Sequence, residues 1–217
     1  MTNNTILIIG GTGFIGYHLA KNCVQRNWEV TSLSLNKKKN IRKIDGVKYL
    51  FCDLTNEKNL SFLKHKNYNY IVNLGGYVNH AKYSQGGNEI LLQHFDILRN
   101  VVHQISKKNL KCFVNIGSSD EYGSKSAPQN EDMRELPISP YSFGKTASAH
   151  FIEMLNRTEN FPGCNLRLFL TYGYKQNPER FIPQIIKGCL KNMPFAVSEG
   201  NQIRDFCYIS DIVEGIM

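Results

Sequence analysis

A tyrosine and a lysine stand four residues apart in Tyr141-Ser142-Phe143-Gly144-Lys145, a spacing that puts both side chains on one face of a helix. An ammonium beside a phenol favours the phenolate, so the pair can take or give a proton at a carbinol while hydride passes to or from a nicotinamide. Tyr17 and Lys21 repeat the spacing, so spacing alone does not choose between them. Tyr141 is preferred because it follows a strand-like run ending Asn115-Ile116-Gly117-Ser118-Ser119, whose hydroxyls could bond a substrate oxygen. Tyr17 has no such companion and reads as packing.

A second chemical signal lies at the N-terminus. The apolar run 6–9 ends in Gly10-Gly11-Thr12-Gly13-Phe14-Ile15-Gly16 and a helical pattern begins at once. Gly11, Gly13 and Gly16 satisfy G-x-G-x-x-G, and Gly10 extends the series. Early glycines in such a turn let a pyrophosphate approach the backbone, the last lets helix pack on strand, and the helix N-terminus supplies partial positive charge. A dinucleotide site with NAD usually has an acid about twenty residues on, at the end of the second strand, to hold the adenosine 2'-hydroxyl. Here that stretch reads Ser34-Leu35-Asn36-Lys37-Lys38-Lys39, which suits a 2'-phosphate. NADP is the expected cofactor, with NAD the alternative if Ser34 or Asn36 bonds the ribose and the lysines are solvated. After the third strand, Asp53 could accept from an adenine amino group, or it could cap the next helix.

The elements that must hold these groups alternate. Short β-branched or aromatic runs at 6–9, 30–35, 47–51, 70–74, 112–116 and 166–170 read as strands, and segments 13–25, 56–63, 90–107 and 141–156 show helical spacing. Apolar strands alternating with helices imply an α/β fold, a Rossmann-like doubly wound parallel sheet, with ligands beyond the carboxyl ends of the strands. The division expected is a dinucleotide-binding domain over 1–170 and, over 171–217, the start of an incomplete C-terminal substrate-binding lobe.

Composition narrows the class. Hydrophobic residues make up 41% of 217, with no run near the ~18 residues of a membrane span and no basic, cleavable leader. A cytoplasmic enzyme without a membrane partner is expected. The six cysteines form no C-x-x-C pair and the six histidines no metal-binding spacing, so no metal is expected. The net charge of +8 suits a polyanion, but no aromatic interleaving of the kind that stacks on bases accompanies it, and no nucleic-acid partner is expected.

Together these stretches carry a resemblance. With Asp53-Leu54, Asn73-Leu74-Gly75-Gly76, Tyr122-Gly123, Leu166-Arg167, Tyr172-Gly173 and Arg204-Asp205-Phe206, the chain resembles the extended short-chain dehydrogenases/reductases of the NAD-dependent epimerase/dehydratase group through essentially its whole length. The resemblance implies a nucleotide-sugar substrate and a homodimer pairing the helices of 90–107 and 141–156. It implies that Tyr141 is the acid/base, that Lys145 holds the nicotinamide ribose, and that Ser119 or Ser118 is the catalytic hydroxyl, with Ser119 favoured. Gly10, Gly13, Phe14, Ile15, Gly16, Asp53, Leu54, Leu74, Gly75 and Gly76, with Tyr141 and Lys145, would line the cofactor. Ser118, Glu121 and Arg204 would meet the substrate. A 4-epimerase or 4-keto reductase is the leading expectation. Ser119-Asp120-Glu121 is similar to the triplet of 4,6-dehydratases, which is the enzymatic alternative, and Glu121 could equally be an exposed loop carboxylate. A dinucleotide-binding regulatory protein is the non-catalytic alternative. Two departures stand out. Leu170 replaces an Asn that often meets the diphosphate, and the stretch before Tyr122-Gly123 is one residue short. Members commonly continue beyond the point matching Met217, so the expectation is a truncated or reduced substrate lobe.

Overall fold

The computed structural model describes residues 3–35 and 42–217. Two compact units are present, Met1–Leu168 and Phe169–Met217. The first holds six parallel strands, β1 (Thr5–Ile9), β2 (Glu29–Ser34), β3 (Val47–Phe51), β4 (Tyr70–Asn73), β5 (Cys112–Ser118) and β6 (Gly163–Leu168), in the order β3-β2-β1-β4-β5-β6. That is the Rossmann order, and its reversal lies between β1 and β4, where such sheets bind ligands. Helices α1 (Phe14–Gln25), α2 (Gly87–Gln104) and α3 (Pro140–Glu159) join the strands, with α1 packed on β1 and β2, α3 on β5 and β6, and α2 against α3. Ile6, Leu7, Ile8 and Ile9 of β1 are all buried, as expected for a central strand covered on both faces. The core joins Leu7, Ile9 and Leu33 to Leu98 and Val101 of α2 and Ile152 and Leu155 of α3.

The differences from the sequence reading have physical causes. Segment Glu57–His65 is a 3-10 helix; its buried residues, Leu60 and Leu63, are three apart, the repeat of that helix rather than of an α-helix. Its N-cap is Asn56, whose side chain accepts from Lys58 N, so Asp53 is not the cap. The sixth strand starts at Gly163 and stops at Leu168, and Leu170–Tyr172 forms a separate strand, β7. In the second unit β7 pairs in parallel with β8 (Phe206–Tyr208), accompanied by α4 (Phe181–Lys191) and α5 (Ile209–Ile216). No helix among the described residues is long and apolar enough to cross a membrane, and no group of three potential metal ligands occurs among them.

Candidate active site

Two loops meet beyond the carboxyl ends of β1 and β4. Gly10 has φ +78°, and a Cβ there would stand 2.8 Å from the Leu74 carbonyl oxygen, so only glycine allows both the left-handed turn and the close approach. Gly16 is equally constrained, since its Cβ would lie 2.5 Å from the Gly10 oxygen; helix α1 therefore sits tight on the turn. Gly13 is the exposed N-cap of α1. Among the described residues no side chain caps this terminus, and its first turn carries no acid. Free backbone N–H groups at an uncapped, glycine-walled helix start suit a diphosphate. Phe14 and Ile15 are half-buried beside it, and Leu74 and Gly75 are half-buried across from it. Thr12 Oγ1 donates to Ser34 Oγ at 3.0 Å, tying the turn to the end of β2. Asn36 and Lys37 to Lys39 lie outside the described residues. Asp53 is exposed and its Oδ1 accepts from Thr55 N and Thr55 Oγ1, while Leu54 is buried. Asn100 of α2 holds this loop by donating to the Leu54 and Thr55 carbonyls.

Helix α3 begins with Ser139 as N-cap in a reciprocal pair with Ser142, and Pro140 is at its first turn, an arrangement that fixes where the helix starts. Tyr141 and Lys145 follow, both buried. Lys145 Nζ donates to the Ile116 carbonyl of β5 at 2.7 Å. Burial pushes this ammonium down from 10.5 to about 8, with the Glu121 carboxylate acting in the opposite sense. Tyr17, the rival tyrosine, is buried in α1 with its ring edge-on to His18, and Lys21 is exposed.

Ser118 and Ser119 stand at the end of β5. Ser118 caps a short 3-10 helix, Ser119–Tyr122, and its Oγ accepts from Asp120 N. Ser119 is half-buried. Glu121 is entirely buried, which excludes the exposed-loop reading. One carboxylate oxygen accepts from Ser118 N at 2.8 Å and the other from Arg167 Nε at 2.8 Å. Arg167 also reaches Glu135 and the Tyr122 hydroxyl and lies over the Tyr122 ring. Each oxygen of Glu121 is thus engaged once within the protein. The second unit contains exposed Arg204, whose Nη1 donates to its neighbour's carbonyl at Ile203, and Leu170, whose N–H donates to the Asp205 carbonyl.

Several further residues in and near the site were given no role in the sequence reading. His94 of α2 is buried, with its ring edge 5.0 Å from Tyr141 between centroids, and His80 approaches the same tyrosine at 5.6 Å. His80 also faces Asp120 at 3.6 Å. Asn73, Asn115 and Asn165 sit in register on β4, β5 and β6. Each amide donates to the next, and the last donates to the Ala149 carbonyl of α3; Asn73 Oδ1 accepts from Gly75 N. The ladder links the loop after β4 to the helix that carries Tyr141. A histidine among Ile90, Leu98 and Val101 on the apolar face of α2, and an asparagine inside each of three apolar strands, were the available signals.

The model of the NAD dependent epimerase/dehydratase family matches residues 6–217. An uncharacterized UDP-glucose epimerase of Bacillus subtilis, YtcB, is 28% identical over 235 residues, covering 97% of this chain and 71% of that protein. A dTDP-glucose 4,6-dehydratase of Haemophilus influenzae is 26% identical over 235 residues, covering 96% and 68%. The fold matches that of UDP-glucuronic acid 4-epimerase from Bacillus cereus, solved with UDP-glucuronic acid and NAD, at a TM-score of 0.83 and 24% identity over 97% of this chain and 71% of that one.

Proposed function

The chain belongs to the NAD-dependent epimerase/dehydratase family, and on that premise we propose that it carries out oxidoreduction at a nucleotide-sugar carbon, as a 4-epimerase or a 4-keto reductase. The observation that carries the reading is the buried Tyr141 and Lys145 on α3, one turn apart, with Lys145 anchored on the Ile116 carbonyl. Gly10, Gly13 and Gly16 with the start of α1 hold the diphosphate of the dinucleotide, Leu74, Gly75 and Gly76 line it, and Asp53 and Leu54 face its adenine. Bound dinucleotide supplies the hydride acceptor or donor. Tyr141 exchanges a proton with the carbinol oxygen, and Ser119 bonds that oxygen. Ser118 is the alternative, since its hydroxyl oxygen accepts from Asp120 N while its O–H can still donate. Lys145 stabilises the phenolate and holds the ribose. Arg204 meets the substrate diphosphate.

NADP is supported by the missing carboxylate after β2 and the lysines that follow, and NAD by the family itself. A 4,6-dehydratase is supported by the Haemophilus influenzae relative and by Ser119-Asp120-Glu121, in which Ser118 N–H and Arg167 Nε–H each engage one oxygen of Glu121. Leu92 and Phe95 on α2, with Phe151 and Met154 on α3, support a homodimer through these helices, and six free thiols support a cytoplasmic setting.

The test is mass spectrometry of the nucleotide released on acid denaturation, followed by incubation with UDP-glucose, with dTDP-glucose and, with NADPH added, with a nucleotide-linked 4-keto sugar. Retained NAD with a product isobaric to the substrate supports a 4-epimerase, and NADPH consumption on a 4-keto sugar supports a reductase. Loss of one water from the sugar favours the dehydratase. Tyr141→Phe should keep dinucleotide affinity and lose turnover by about 10²–10⁴, the range for a positioned acid/base. Dinucleotide binding without turnover of any of these substrates would overturn the enzymatic reading in favour of a regulatory protein.

A further inference from the structure

We propose that His94 is a positioning residue that ties the cofactor-side loop to the catalytic tyrosine, its Nε2–H holding the Tyr77 carbonyl while its ring edge sets Tyr141. This rests on the reading of Tyr141 and Lys145 given above. His94 Nε2 lies 3.1 Å from the Tyr77 oxygen. A carbonyl only accepts, so the proton is on Nε2. The same ring stands edge-on to Tyr141 at 81° and 5.0 Å between centroids, one of the favoured arrangements for a pair of aromatic rings.

The neighbouring backbone is shaped around this side chain. A Cβ at Gly76, whose φ is +106°, would stand 2.1 Å from His94 Cε1, and one at Gly144 would stand 3.1 Å from His94 Cβ. Gly76 belongs to the loop that follows β4, and Gly144 lies between Tyr141 and Lys145 on α3. Gly76 therefore leaves room for the imidazole itself, and Gly144 for the close approach of α2 that brings it in. The charged and titratable groups around it are Tyr141 and Lys145 from α3 and Tyr77 from the loop, with His80 on Tyr141 as well. Burial, and then the Lys145 charge, hold His94 down to about 4. It is a neutral imidazole at ordinary pH, fixed in one tautomer, and it orients its neighbours without adding charge beside Lys145.

Two substitutions separate the two contacts. His94→Gln keeps an N–H donor for the Tyr77 carbonyl and removes the ring; His94→Phe keeps the ring and removes the donor. For His94→Gln the expected result is NAD(P)H affinity within about twofold of the unsubstituted protein and a kcat about tenfold lower, a tenfold change being one ordinary hydrogen bond or ring contact. For His94→Phe the order reverses, with dinucleotide Kd raised about tenfold and kcat at saturating dinucleotide less affected. Parallel losses in both variants, tracking a common fall in thermal midpoint, would show that His94 only fills space. The functional reading fails separately, if the unsubstituted protein binds neither NAD(H) nor NADP(H). In that case the NMR shifts of the Tyr141 ring protons decide: displacement in His94→Gln and retention in His94→Phe uphold the contact, and the same shift in both overturns it.

Discussion

Burying an imidazole beside an ammonium links stability to pH through whichever state holds the proton. His94 is held at about 4 by burial first and by Lys145 second, against an ordinary 6.5, and its bond to the Tyr77 carbonyl pulls the other way. Above pH 6.5 the ring is neutral in both native and unfolded chains and contributes no slope. As pH falls from 6.5 through about 4, the unfolded chain takes up a proton that the native chain refuses, so stability declines. Fully expressed, a shift of this size is worth roughly 3 kcal/mol. His94→Gln should flatten the decline, and urea midpoints at pH 7 and pH 4.5 for the two proteins measure it; identical slopes would mean that His94 titrates normally in the native state. Tyr141, Lys145 and the glycine turn were legible because each forms one short contiguous pattern. His94 was not, since its partners Tyr77 and Tyr141 lie far from it in the chain and no local window joins them.

At the scale of elements, β5 and β6 are held at their carboxyl ends by a charge cluster as well as by their ladder. Glu121 is entirely buried, and Arg167 from β6 reaches it, Glu135 and Tyr122. Removing one partner of a buried pair leaves the other charge desolvated and alone, which costs about 3–5 kcal/mol. Arg167→Met should show that loss in urea unfolding, and adding Glu121→Gln should restore part of it, because the stranded charge is then gone. An Arg167→Met protein as stable as the original would mean that water reaches Glu121. The order of elements was readable because each strand of the first unit is a short β-branched or aromatic run. The sequence reading missed α4, of 11 residues, since such a short apolar stretch is compatible with strand or helix. Glu121 invited a catalytic reading from its neighbours in sequence, while the residue that determines its environment, Arg167, is 46 positions away.

At the scale of the whole molecule, the open matter is how the outer faces of α2 and α3 are used. Leu92 and Phe95 are three apart on α2, Phe151 and Met154 three apart on α3, and the Phe95 and Phe151 rings touch at 5.6 Å. The four side chains therefore make one apolar stripe across the helix pair, with Leu92 and Met154 about half exposed at 45% and 44%. Single exposed apolar residues need no explanation, but a contiguous stripe rimmed by charge marks an interface. Arg99, Glu153 and Arg157 supply such a rim, engaged with Asp96 and with one another at the helix surface. A second copy presenting the same stripe about a two-fold axis would bury both at once, because such an interface is self-complementary. The protein should therefore sediment as a dimer at micromolar concentration. Met154→Glu would place two like charges at the centre of that contact and should shift it to monomer. Tyr141 and Lys145 point into the first unit's own core side of α3, so the Met154→Glu monomer should keep its dinucleotide affinity. Sedimentation of the unsubstituted protein as a monomer would remove the interface, whereas a dimer unmoved by Met154→Glu would assign it to another face.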